Sequence, residues 1–397
     1  MSIPVRNHKA WQFLSCAVKG KELYVRAFQD SYKMRIDLTN GEMHYLDYIN
    51  LNDEDRAIGG SVMILDHDDM IMVPNDRKLI ARYHLKNGKC DRYPLHVEPI
   101  TQSRPNYSWA AMYDNKIYVF PCYDTHVYVC DMESGAIQKE QLPIHMENIS
   151  DKNPCVGIET ACQVGDKVYL FSGKYHVLLI YGLSDHNVSC IHMTIPFSED
   201  DPLCDVSFWD GLFYCLTSRG TIFSAGLKTG KIAYRKLWKG TSDLNTYQRI
   251  LATSKNLWML PDVGEDIKVY SLEDGRVDVY QDYPEDFSYE LFFPVQSKFF
   301  MGYDNGDDYI FSMCAQNYML TIHRKTGTVD WLKIHPPTME EKKKFFIEKM
   351  HYNNIIYENR ELGLAEFCDA VSSNLDLWKK EDKNENMRTW SELVSNL

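Results

Sequence analysis

No Cys-x-x-Cys pair occurs among the eleven cysteines of this 397-residue chain. Its absence removes the usual signature of zinc ribbons and thioredoxin-type redox chemistry. Cys16, Cys130, Cys162, Cys190, Cys215 and Cys314 stand inside strand-like runs, where a reduced thiol serves as a small hydrophobe. No stretch of eighteen apolar residues exists, so no membrane-spanning helix is expected. Between Met1 and Val18, Arg6, His8, Lys9 and Gln12 interrupt anything like the apolar core of a secretion signal. The expectation is a cytoplasmic protein with free thiols.

Basic clusters are equally scarce. The longest is Lys342-Lys343-Lys344, in a chain of net charge −13. Nucleic acid and anionic membrane surfaces, which attract basic patches, are therefore not expected partners. The catalytic signatures are missing too: no G-x-S-x-G, H-E-x-x-H, P-loop or G-x-G-x-x-G occurs. Adjacent carboxylates such as Asp307-Asp308 would point to opposite faces of a strand, so they make no general acid/base pair. No cofactor is expected.

What the chain does have is aromatic residues, 13% of the total with 26 Tyr, a composition suited to strands. It also has a repeat. A polar residue followed by Gly recurs between strand-like runs at Asn40-Gly41, Asn87-Gly88, Ser134-Gly135, Thr229-Gly230, Asp274-Gly275 and Thr326-Gly327. A seventh turn, Ser184-Asp185-His186-Asn187, fills the one gap, with Asn187 read in the place of Gly; both residue types tolerate the positive φ of tight turns. Gly41 to Gly88 and Gly88 to Gly135 are each 47 residues. Two apolar runs precede each marker and one follows, and a further run opens each unit. The third unit reads Trp109 to Tyr113, Ile117 to Phe120, Val127 to Met132 and Ala136 to Leu142. Four strands per such period is the size of a propeller blade. The inner runs, such as Val168 to Phe171, are continuously apolar, whereas outer runs such as Arg276 to Tyr280 are mixed. Strands covered on both faces should show that gradient.

The expected fold is all-β: a seven-bladed β-propeller over residues 10–335, with a small helical appendage over 338–397. Blade one opens on an inner strand and blade seven ends on an outer one, so ring closure is expected to rest on packing rather than on strand exchange. In the appendage Thr338-x-x-Glu341 reads as a capping box, and Leu364, Phe367, Cys368, Val371 and Leu375 form one apolar stripe.

Thr326-Gly327-Thr328-Val329-Asp330-Trp331 matches the T-G-x-x-x-W turn and strand of quinoprotein repeats, and Thr229-Gly230-Lys231-Ile232-Ala233-Tyr234 is a degraded copy with Tyr in place of Trp. In period and turn the chain resembles the broad quinoprotein-like and YVTN-like propeller superfamily. The Trp-Asp and Gly-His pairs of WD40 repeats are missing. The resemblance implies a propeller; it brings no quinone cofactor to a chain without an export signal.

Function on a propeller gathers on the rim of the central channel, in the loops between second and third strands and between blades. Alignment of the units places Tyr123, His126, Tyr175, His176, Arg219 and Tyr318 near the first kind of loop. Arg56, Tyr107, Glu159, Asp205, Tyr247 and Arg249 fall near the second. Aromatics mixed with both charge signs suit recognition of a protein or a small polar ligand. A non-catalytic interaction module is therefore the leading expectation. The alternative is a propeller-type lyase or hydrolase. In it His126 and His176, read as equivalent positions in successive blades, would join Glu159 or Asp205 around a divalent metal.

Overall fold

A hairpin of apolar strands has two faces to cover, and this chain covers them by repetition. In the computed structural model, 28 strands among the described residues form seven four-stranded antiparallel sheets, each built from four consecutive strands. The structure describes residues 13–27, 32–48, 60–74, 79–95, 107–121, 125–143, 158, 160–172, 176–193, 201–228, 231–240, 247–261, 266–287, 299–313, 318–338, 340, 341 and 344. Blade I spans 13–48, II 60–94, III 107–141, IV 160–192, V 203–238, VI 247–279 and VII 299–333. The architecture is the seven-bladed propeller expected from the repeat. The appendage beyond residue 344 lies outside the described residues. Its opening turn does form the expected capping box: Glu341 N donates to Thr338 Oγ1 at 3.2 Å, and Thr338 N donates back to Glu341 Oε2 at 2.8 Å.

Seven apolar clusters hold the ring, one at each junction between blades. At the I–VII junction Leu23, Val25, Met34 and Ile36 pack against Ile310, Met319 and Ile334, all buried. Each such side chain removed from water contributes about 1.5–3 kcal/mol before entropy is counted, so this junction is held by the same kind of core as the other six. Burial follows the expected gradient: the second strand of blade VI, Asn256–Pro261, is almost wholly buried, and the outer strand of blade III, Ile137–Gln141, is mostly exposed.

Among the described residues the markers share one geometry; Thr229-Gly230 lies outside them. The Gly N–H donates to the carbonyl four residues back, as from Gly41 to Asp37 at 2.8 Å and from Gly135 to Asp131 at 2.9 Å, and the Gly φ is positive. In blade IV the same bond runs from His186 N to Gly182 O at 2.9 Å, with His186 at φ 57°. The left-handed residue of the seventh turn is therefore His186 and not Asn187. Left-handed backbone costs a non-glycine residue about 1–2 kcal/mol, and blade III helps to offset it. His186 Nδ1 pairs with Glu140 Oε1 at 2.5 Å, and Tyr181 donates to the same carboxylate.

Closure also has a backbone component that the sequence reading lacked. The two terminal sheets exchange no strand. The chain leaving blade VII instead runs beside the marker turn of blade I, where His335 N donates to Gly41 O at 2.8 Å and Met43 N donates to His335 O at 3.1 Å. The approach is so close that a Cβ on Gly41 would lie 1.9 Å from the Lys333 carbonyl oxygen.

Blades II and VII carry a second device at equivalent positions. His84 sits between Asp69 (2.7 Å) and Asp91 (2.8 Å), and His323 between Asp308 (2.6 Å) and Asp330 (2.8 Å). Each imidazole ties the second, third and outer strands of its blade. The hydrogen bond to the outer-strand aspartate, then that to the second-strand aspartate, raises each histidine above its ordinary pKa, against the opposing effect of burial.

Two outcomes are expected. In urea titrations Gly41→Ala should lose about 1–2 kcal/mol to left-handed strain and about 1 kcal/mol for each clasp hydrogen bond it breaks. Gly20→Ala, also at positive φ but with open space around a new Cβ, should lose only the strain; equal losses would show that the clasp contributes nothing. The second outcome concerns pH. A folded-state pKa raised above the unfolded value of about 6.5 gives stability that is complete below that pH and is lost as pH rises through the folded pKa. Melting temperature should therefore fall more between pH 6 and 8.5 in the native protein than in the double variant His84→Gln, His323→Gln. Parallel profiles would remove the histidines from the account.

Candidate functional site

The upper face is the side reached by the loops between blades and between second and third strands; the tight first-to-second and third-to-fourth turns lie on the lower face. Each inner strand therefore starts at the upper mouth of the central channel. In three neighbouring blades one equivalent residue near that end of the inner strand is polar. Thr160 lies opposite Phe171 in blade IV, Asp205 opposite Leu216 in blade V, and Arg249 opposite Leu260 in blade VI. The same place in blades II and III holds Val62 and Trp109. Register shifts at Leu203/Asp205 and Tyr247/Arg249 accompany the two charged residues, and bulges of this kind re-aim side chains at strand ends.

Asp205 is buried and heavily used. Its Oδ2 accepts from Ile250 N at 2.9 Å and its Oδ1 accepts from Thr160 Oγ1 at 3.2 Å, with Arg249 Nη1 3.5 Å from Oδ1. Two residues along, Ser207 Oγ accepts from Ala252 N at 3.0 Å and pairs with Tyr309 OH at 2.9 Å. Asp205 and Ser207 thus cap alternate N–H groups on the free edge of blade VI's inner strand, groups that would otherwise lack partners. Burial pushes the Asp205 carboxyl above its ordinary pKa, opposed first by Arg249 and then by the Ile250 N–H. Arg249 is placed differently. Its side chain is 37% exposed against 10% for Asp205, and a guanidinium carries five donors. Beyond the 3.5 Å contact with Asp205, no partner holds it among the described residues.

The lower end is tied by a second arginine. Arg324, in the marker turn of blade VII, donates from Nη1 to both Asp304 oxygens (2.9 and 3.0 Å) and from Nη2 to Phe208 O of blade V at 2.7 Å. Its guanidinium carbon lies 4.8 Å from the Tyr309 ring centroid and 5.4 Å from that of Trp209. The thiols nearby are poor nucleophiles. Burial, then Asp304 and Asp205, pushes Cys162 up to about 12, and burial raises Cys204 and Cys215 as well.

The sequence candidates fall into three groups. Arg56, Tyr123 and Tyr175 lie outside the described residues, and of Tyr107 only the backbone is described, at the start of blade III's inner strand. His126 and His176 are described but are not equivalent. Leu142 N donates to Thr125 O and Met193 N to His176 O, so His176 matches Thr125, and His126 matches Val177. An offset of one residue in a strand turns a side chain to the other face, which removes the pairing on which a shared metal would rest. Among the described residues no three His, Cys, Asp or Glu side chains gather as a metal site would require.

Tyr247 and Tyr318 are strand-end residues rather than loop tips, whereas Arg219 sits where it was expected, in the turn between the second and third strands of blade V. Arg219 N donates to Asp201 Oδ1 at 2.8 Å. The buried Tyr247 ring lies under Gly220, whose Cβ position is 2.8 Å from it, with Lys268 Nζ 5.3 Å from the ring centroid. Tyr318 is buried too; it donates to Asp286 and packs against Phe287 and Trp331 with centroids 6.0 and 6.4 Å away. Neither tyrosine is an exposed anchor. Thr160 was absent from the sequence candidates. Its signal lies in register rather than in residue type: Thr160, Asp205 and Arg249 align once the bulges are counted.

Comparison with known proteins agrees with the fold and goes no further. No family model matches the chain, and no curated protein sequence does. Among solved structures, a streptogramin B lyase superposes with a TM-score of 0.51 at 12% identity, over 79% of this chain and 92% of that one. PorZ, a bacterial surface component of the type-IX secretion system of Porphyromonas gingivalis, superposes with a TM-score of 0.52 at 10% identity, over 83% of this chain and 38% of that one. These are likenesses of fold alone.

Replacing Asp205 with Ala should orphan the Ile250 N–H and cost about 1–3 kcal/mol in denaturant titrations, whereas Asp205→Asn, which keeps an acceptor oxygen, should recover most of that. An alanine variant as stable as the native protein would mean that the cap is dispensable.

Proposed function

We propose that the protein is a non-catalytic recognition module that receives an anionic group, from a protein or a small polar ligand, at the upper mouth of its channel. The observation that supports this reading is Arg249. It is a half-exposed guanidinium, held on a rigid inner strand and oriented by a buried aspartate, with most of its donors unmatched among the described residues. A carboxylate or phosphate oxygen would complete it with short charge-assisted hydrogen bonds. Thr160, from blade IV, donates to the same aspartate and is itself buried, which leaves Arg249 the exposed group of the three. In a chain of net charge −13, a cation so placed selects for sign at the mouth, while the surrounding field repels anions that make no specific contact.

The enzymatic alternative has less behind it. Streptogramin B lyase shows that a lyase can be built on this architecture, but function resides in sites and not in folds. The histidine pairing that would have carried the metal reading is offset by one residue.

Melting curves with acetate, succinate, glutamate, phosphate and sulfate at 10 mM test the proposal. A ligand that binds only the folded state raises its stability by RT ln(1 + [L]/Kd). At least one of these anions should raise the melting temperature of the native protein by a degree or more and leave Arg249→Ala unmoved. Equal shifts in the two proteins, or none in either, would contradict it.

A further inference from the structure

Blade V carries a feature that neither its packing nor the channel uses. Its outer strand, Lys231–Trp238, is the longest outer strand at eight residues, and it ends its sheet. Lys231, Arg235, Lys236 and Lys239 are all exposed. Lys228, the register partner of Lys231 across the hairpin, adds a fifth basic residue within twelve, and no Asp or Glu interrupts them. The chain as a whole has 56 acidic and 43 basic residues, so this strip runs against the composition. None of the four exposed cations has an ion-pair partner among the described residues; the contact found is Lys236 Nζ, 5.8 Å from the Phe223 ring centroid. The other outer strands differ. Blade II alternates Asp91 with Arg92, and blade VII pairs Asp330 with His323.

The strand is also shaped for an added partner. Ile232 is buried and Tyr234 half-buried on the inner side, while Lys231, Ala233 and Arg235 face out. An edge strand presents a row of backbone N–H and C=O groups with no strand beyond it. Lysine on such an edge keeps a second, equally basic copy away. The same charges admit a strand of opposite sign, because cross-strand pairs of opposite charge are favourable and like charges are not.

We propose that the outer edge of blade V is a docking strip for an extended acidic segment of a partner protein, which adds to the sheet as a fifth strand. Main-chain hydrogen bonds would supply affinity, and the basic row would supply the choice of partner and its register. This surface lies on the perimeter of the ring, away from Arg249, so the two proposals stand or fall separately.

The test uses a fluorescein-labelled eight-residue peptide of alternating Glu and Thr, with its Gln/Thr counterpart, titrated against the full chain by fluorescence anisotropy. The Glu peptide should bind, and binding should weaken as salt rises from 50 to 300 mM, as exposed charge pairs do. Lys231→Glu, Arg235→Glu and Lys236→Glu together should weaken it at least tenfold, while Arg249→Ala leaves it unchanged. Melting of the triple variant checks its folding, and the milder Arg235→Gln, Lys236→Gln pair should weaken binding in the same direction if the triple variant fails to fold. Equal binding of the Glu and Gln peptides, or binding untouched by both variants, would overturn the proposal. So would capture of phosphatidylserine vesicles through the same residues with no binding of the peptide, since the surface would then be reading lipid.

Discussion

A four-stranded sheet with two apolar faces cannot be satisfied alone, and everything else in this protein follows from the way that constraint is met. Each blade buries its faces against two neighbours, and the seventh must find the first. The seven junction cores and the clasp between Gly41 and His335 are one solution to one problem. A ring that failed to close would leave Leu23, Ile36 and Met319 facing water. Closure also fixes the inner strands in a circle, so that side chains from separate blades can meet. Thr160, Asp205 and Arg249 come from three blades, and they touch only because the ring holds those strands side by side.

Much of this was legible in the residues and some was not, for identifiable reasons. The blade count could be read because left-handed turn residues are scarce in type: Gly41, Gly88, Gly135, Gly275 and Gly327 all occupy the same positive-φ position. The seventh marker was misplaced by one residue because Asn is the usual substitute for Gly, whereas here His186 takes the strain and gains Glu140. A second guide stands three residues before the marker, where Leu38, Leu85, Met132, Leu183 and Leu272 supply an apolar side chain, although Arg324 takes that place in blade VII. The clasp left no trace of this kind. It is an approach of one backbone to another, and no side chain announces it.

The site was legible in part. Asp205 and Arg249 stood among the rim residues, but which of them would be buried depends on bulges and on the next blade's edge. Tyr247 and Tyr318 looked like anchors because tyrosine suits an interface. They are packed instead, since each starts a strand whose neighbours already form a core. His126 and His176 looked paired until the hydrogen bonds showed the offset. Turn spacing sets the period of a repeat; it does not fix the register within each unit, and register decides which groups converge.

Closure of the ring is the claim on which the rest stands, and amide hydrogen exchange at the clasp tests it most directly. The amides of His335 and Met43 belong to different ends of the chain and are hydrogen-bonded across the junction only when blade VII meets blade I. With the ring closed, both should exchange about as slowly as Val25 and Met319 in the junction core. Exchange of both at the rate of an unstructured chain, while the strands inside each blade remain protected, would contradict the account.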